Sequence, residues 1–113
     1  MKQELHAPLG LSPVVHDAIL RAIHEKRVLR LTSGGKDRIL EPHDYGRHKG
    51  VVKLLGYQLS GSSTSPLPNW RWILAHSISA IEILARTFRG GRGEASTKHH
   101  AWEELFARVD PEA

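Results

Sequence analysis

Two cations, Lys53 and Arg71, each interrupt an otherwise apolar run, Val51 to Leu59 and Trp70 to Leu74. A charge inside such a run either opens onto a groove or snorkels past the rim of the fold. Arg38, His43, Arg47, His48 and Lys49 accompany them and make up a candidate basic face. Cations of this kind displace counterions condensed on nucleic acid, and arginine grips a phosphate through two parallel hydrogen bonds. The bland alternative is a solvated rim with internal ion pairs to Asp37, Glu41 or Asp44. A second basic stretch contains Arg89-Gly90-Gly91-Arg92-Gly93, which is reminiscent of RNA-binding Arg-Gly repeats. Glycine is equally expected where the chain leaves one element for the next.

Other chemistries find less support. No two of the eight histidines stand at the i, i+4 spacing that lets one helix face chelate a metal. The adjacent His99 and His100 would point about 100° apart on a helix. No cysteine is present and no Gly-x-Ser-x-Gly elbow occurs, while Ser62-Ser63-Thr64-Ser65 sits in a polar loop. A triad assembled in space from Ser77, His76 or His43, and Asp44 has no spacing signature to support it. We therefore expect a binding module without catalytic residues, metal or cofactor. Trp70 and Trp72 share one face of a strand, which suits either base stacking or the seating of a terminal element.

The elements that must position these groups follow from periodicity. Ser12-Pro13 is a helix start, a hydroxyl cap followed by proline at the first helical position. Val15, Ile19, Ala22 and Ile23 then recur at helical spacing and predict a helix over 13–26. Beyond it the period changes to two. Residues 28–32 and 37–41 flank Ser33-Gly34-Gly35-Lys36, a hairpin signal, and Pro42 is expected to end or bend the second strand. Residues 44–50 read as a polar turn, 51–59 as a buried strand, 60–69 as a loop, and 70–74 and 78–85 as two further strands. Trp102, Leu105, Phe106 and Val109 fall at i, i+3, i+4 and i+7, the stripe of an amphipathic helix. Five short strands in so small a chain avoid exposed edges by curling into a barrel.

The bulk figures agree with one globular unit. The chain has 113 residues, 40% hydrophobic and 25% charged, enough for one core and not for two. Its net charge of +4 and pI near 9.8 favour anionic partners. No apolar run approaches the ~20 residues that cross a bilayer, and the N-terminus has no apolar stretch of the signal-peptide kind. A cytoplasmic protein without membrane contact is the expectation.

Over residues 14–88 the sequence resembles the WYL domain, a bacterial accessory and sensor module often attached to DNA-binding segments of transcriptional regulators. The resemblance rests on Ile39-Leu40-Glu41-Pro42-His43-Asp44-Tyr45-Gly46, on Gly50-Val51-Val52-Lys53-Leu54-Leu55-Gly56-Tyr57, and on Arg71-Trp72-Ile73 with Ile78. The Trp-Tyr-Leu that names the family falls on Val52-Lys53-Leu54, so only Leu54 agrees. In that family the Tyr and the later Arg help form a ligand or nucleic-acid surface, which here leaves Arg71 with Lys53 in the Tyr position. The resemblance implies a mainly β fold, a helix followed by a five-stranded Sm/SH3-like barrel. The expected plan is an arm over 1–11, the barrel over 12–88, a Gly/Arg linker over 89–98 and a helix over 99–109. The expected site is Lys53, Arg71, His43, Arg47 and Lys49. Its expected ligand is single-stranded nucleic acid or a nucleotide-like effector. The alternative is a protein-interaction module, a homo-oligomer or a partner of a regulator protein, assembled through Trp102, Leu105 and Phe106 or through open barrel edges. The same three residues are the candidates for docking the last helix onto the barrel.

Overall fold

The computed structural model describes residues 7–92 and 102–111. A helix, α1 (Pro13–Glu25), is followed by strands β1 (Arg27–Ser33), β2 (Lys36–His48), β3 (Val51–Gly61) and β4 (Asn69–Leu74). A 3₁₀ turn, Ala75–Ser77, leads into β5 (Ile78–Thr87), and β6 (Glu104–Arg108) comes last. The strands form one six-stranded antiparallel sheet in the order β4-β3-β2-β1-β5, with β6 alongside β2. No helix among the described residues is long and apolar enough to cross a membrane.

The helix begins where Ser12-Pro13 predicts it. The Ser12 hydroxyl accepts the Val15 N–H at 3.4 Å, and Lys26, at φ 54°, closes the other end by donating to the Ala22 and Ile23 carbonyls. Its buried face, Val15, His16, Ile19, Ala22 and Ile23, lies on one side of the sheet. The apolar members pack there with Leu29, Leu31, Leu40, Tyr45, Leu54 and Ile73. Each fully buried aliphatic side chain contributes about 1.5–3 kcal/mol relative to exposure, so this helix-on-sheet layer is the main stabilising unit.

Strand β2 is the spine. Its first half pairs with β1 as far as Leu40, and its second half, Asp44 to Arg47, pairs with β6 on that same edge. Between the halves Pro42 faces Gly56 and Asp44 faces Leu55, leaving His43 as the extra residue of a bulge. A bulge is one of the few places a strand tolerates proline, which is why Pro42 bends β2 without ending it. The expected polar turn over 44–50 is thereby reduced to Lys49 and Gly50, at φ 54° and 76°.

Two expectations need correction. The sheet does not close into a five-stranded barrel. Strands β4 and β5 are its two ends, joined through Ala75–Ser77 without a shared ladder. The expected helix over 99–109 is a strand where it is described, with 99–101 lying outside the described residues. Its apolar stripe is real, but the edge of β2 that β1 leaves open offers backbone hydrogen bonds that a helix cannot use, and pairing there prevails over local periodicity. Of the arm over 1–11, residues 1–6 lie outside the described set. Leu11 is buried in the core, its N–H donated to the Pro8 carbonyl at 3.0 Å. Of the linker, residues 93–98 lie outside the description, whereas Gly91 is held by an N–H to the Asp110 carbonyl at 2.8 Å.

A candidate anion-binding cleft

The two faces of the sheet separate the cations that the sequence groups together. Strand residues paired across a ladder point to the same side. Ile73 pairs with Leu54 and Arg71 with Gly56, so Arg71 lies on the face that carries α1. Lys53 pairs with Leu74 and lies on the reverse face with Trp72, its ammonium 5.6 Å from the Trp72 ring centre.

On the α1 face, past the end of the apolar core, Lys36, Arg38 and Arg71 converge on a cleft of about 410 Å³ whose floor and rim include Gly61, Ser62, Ser63 and Thr64. Arg38 is 9% exposed, and its Nη1 donates to the Gln58 side-chain oxygen and the Ser62 carbonyl, both at 2.9 Å. Arg71 donates from Nη2 to the Ser63 hydroxyl at 2.6 Å. The Nε atoms of both arginines are buried without a hydrogen-bond partner. No carboxylate lines the cleft among the described residues. Burial, and then the neighbouring charge of Arg71, push the Arg38 guanidinium below its ordinary basicity. Two like charges are therefore held close together with water partly excluded, an arrangement that an incoming anion would relieve.

The loop that shapes this cleft is built from short polar contacts. The buried Gln58 amide donates to the Ser60 and Ser62 carbonyls at 3.1 and 2.9 Å. Ser63 closes a turn by donating to the Ser65 carbonyl at 2.8 Å and accepting the Ser65 N–H at 3.1 Å. Gly61, at φ 101°, brings the chain against Asp37, whose carbonyl accepts the Ser62 N–H at 2.8 Å. Any Cβ at position 61 would stand 2.5 Å from that carbonyl oxygen.

The remaining expected site residues lie elsewhere. His43 is 1% exposed, bonded to Glu41 at 3.2 Å and packed against Trp70 and Phe88. Burial pushes the Glu41 carboxyl up, but hydrogen bonds from His43 and Arg92 outweigh it and hold the group below its ordinary value. Arg92, from the Arg-Gly stretch, binds Glu41 through Nε and Nη2 at 3.1 and 2.9 Å and stacks 3.8 Å from the Tyr57 ring centre. Arg47 lies 3.5 Å from the Glu104 carboxylate and 5.7 Å from the Phe106 ring centre, while Lys49 occupies the exposed β2–β3 turn. The Trp102 ring stands 5.5 Å from that of Trp72, Phe106 packs on Tyr45, and Leu105 is 41% exposed. Arg71 alone of the expected set thus lines the cleft.

Sequence reasoning named Arg38 in its basic face and passed over Lys36, Gln58 and the serine loop as partners. Their signal was present in the pairing. Once Leu40 faces Gln58 and Gly56 faces Arg71, alternation places Arg38, Gln58 and Arg71 on one side.

No protein-family model matches the chain, and no curated protein sequence matches it. Among solved structures the fold is similar to Proteasome accessory factor B/C (PafBC) of Arthrobacter aurescens, with a TM-score of 0.57 over 83% of this chain. The two sequences are 19% identical over that match, which shows a shared fold, and the chain spans 15% of the length of that protein.

Proposed function

We propose that this chain is a recognition module that holds an anionic ligand, single-stranded nucleic acid or a nucleotide-like effector, in the Lys36–Arg38–Arg71 cleft, and that it serves transcriptional regulation in the manner of the WYL domains it resembles. One observation carries the reading: three cations converge on a cleft lined by no carboxylate, and two of them keep buried Nε donors without partners. Most other described arginines have carboxylate partners, as Arg92 does with Glu41 and Arg108 with Asp44. The role is binding rather than catalysis, with the likeness to PafBC supporting the architecture alone.

The test is fluorescence anisotropy of a labelled hexathymidylate across a salt series, comparing the parent with Arg71→Ala and Lys53→Ala. The expected result is binding that weakens steeply with salt, falls at least about tenfold in Arg71→Ala and changes little in Lys53→Ala. Equal losses in the two variants would mean diffuse charge and contradict the cleft. A second reading, self-association, is favoured by the outer edges of β4 and β5, which pair with no other strand among the described residues, and by the exposed Leu74 on the former. A concentration-dependent mass in light scattering that ignores both salt and oligonucleotide would support it.

A further inference from the structure

The cleft described above has a chemistry narrower than attraction to polyanions. We propose that it is selective for a phosphomonoester, the dianionic terminal phosphate of a strand or of a small phosphorylated molecule, over the phosphodiester backbone; this rests on the cleft being the anion site.

Charge is the first reason. Lys36, Arg38 and Arg71 line one cleft of about 410 Å³, with no acidic side chain among the residues that line it. Three positive charges around one small cleft suit a group that carries nearly two negative charges on three terminal oxygens. A backbone phosphate has one charge, and a run of them needs cations spaced along a track. Among the described residues no such track leads from the cleft. Lys53 lies on the opposite face of the sheet, and Arg47 is beside Glu104.

Rings are the second reason. Sequence-tolerant binding of a single strand uses aromatic platforms beside the basic groove. No aromatic side chain lines the cleft. Tyr57, Trp70 and Trp72 share the reverse face, where the first two rings pack on each other and Trp72 packs on Trp102. A base attached to the bound phosphate would find no stacking partner among the described residues that line the cleft.

Donor geometry is the third. Arg38 is nine-tenths buried with its Nε unpartnered, Arg71 has a second such Nε, and Lys36 is exposed beside them. Ser62 and Thr64 also line the cleft. Several donor-bearing side chains thus border one small cleft, which suits a terminal phosphate better than an extended backbone.

The experiment uses the full chain and hexathymidylate labelled at its 3′ end, with either a 5′-phosphate or a 5′-hydroxyl. Ribose 5-phosphate and dimethyl phosphate serve as unlabelled competitors, and Arg71→Ala and the exposed-site variant Lys36→Ala as controls. The 5′-phosphorylated strand should bind at least about tenfold tighter than the hydroxyl strand, an advantage that both variants erase. Ribose 5-phosphate should compete and dimethyl phosphate should not. Failure of ribose 5-phosphate to compete, with the 5′-phosphate advantage intact, would assign the group to a strand end rather than to a free metabolite. The advantage should also shrink between pH 7.5 and 5.5 as the monoester gains its second proton near pH 6. The charged groups lining the cleft are Lys36, Arg38 and Arg71. Equal binding of the two strands, weakened equally by Arg71→Ala, would overturn the monoester selectivity and leave the anion site standing. Binding of neither strand, and of neither small phosphate, would remove both.

Discussion

Asp44 should be the fastening that holds β6 to the sheet, and its removal can be worked through in numbers. Its carboxylate is wholly buried and lies opposite Arg108 in the β2–β6 register. Arg108 donates from Nε and Nη2 at 2.9 and 3.0 Å, and the Trp102 indole N–H donates at 3.3 Å. The paired carboxylate in turn raises the basicity of Arg108. Asp44→Asn keeps the volume, removes the charge and turns an amide NH₂ toward groups that are themselves donors. A hydrogen bond to a charged partner contributes about 1.5–3 kcal/mol. Arg108 is 47% exposed, so water replaces part of what it loses, and the two contacts together should be discounted to a net loss of about 2–3 kcal/mol. At roughly 4 °C per kcal/mol for a chain of this size, Tm should fall by about 8–12 °C. Thermal unfolding followed by circular dichroism measures this. A double-mutant cycle with Arg108→Met should return a coupling of about 1–2 kcal/mol. A loss below about 0.5 kcal/mol in Asp44→Asn, or purely additive effects in the cycle, would refute the reasoning.

Further outcomes follow from other contacts. His16 is buried and hydrogen-bonded from Nδ1 to the Tyr45 hydroxyl at 2.7 Å; burial lowers its pKa from 6.5 and Asp17 opposes that. The unfolded chain therefore binds the proton first, so stability should be full above pH 6.5 and decline as pH falls through the lower folded value. Urea midpoints at pH 7.5 and 5.5 should show this decline in the parent and little of it in His16→Gln; an unchanged slope in the variant would contradict it. Tyr45→Phe should cost about 1–3 kcal/mol by leaving the buried His16 nitrogen unpaired, read from the same urea curves. Gly46→Ala should detach β6, because the new Cβ would meet the Glu104 carbonyl oxygen and stand 2.9 Å from the Trp102 ring; a red shift of tryptophan emission would report it. Gly61→Ala should weaken oligonucleotide binding by reshaping the serine loop, and unaltered affinity would separate that loop from the site.

The parts of this fold that local chemistry governs were legible in the residues. Ser12-Pro13 marks the helix start, Gly34-Gly35 the first hairpin, and two-residue alternation the strands that follow. What was hidden depends on residues far apart in sequence. Glu41 reads as the end of a strand and Asp44 as the start of a polar turn, yet both are buried with His43, because Arg92 and Arg108 arrive from the end of the chain to neutralise the two carboxylates. The stripe through Trp102 and Phe106 suits a helix, but its strand sends Trp102 to Trp72 and Phe106 to Tyr45, with a register shift between the Tyr45 and Gly46 pairs. The candidate site was legible in composition and not in arrangement. Arg38 and Arg71 stood out as cations, but only the strand pairing sets them together and turns Lys53 to the other face.

A titration of the ¹⁵N-labelled chain with 5′-phosphorylated hexathymidylate, following the arginine Nε–Hε resonances, reads the cleft residue by residue. Saturable shifts are expected at Arg38 and Arg71, whose Nε groups are unpartnered, and small ones at Arg27, Arg92 and Arg108, whose Nε groups are already bonded. Shifts spread evenly over all the arginines, or none at Arg38 and Arg71 at saturation, would contradict the cleft as the anion site.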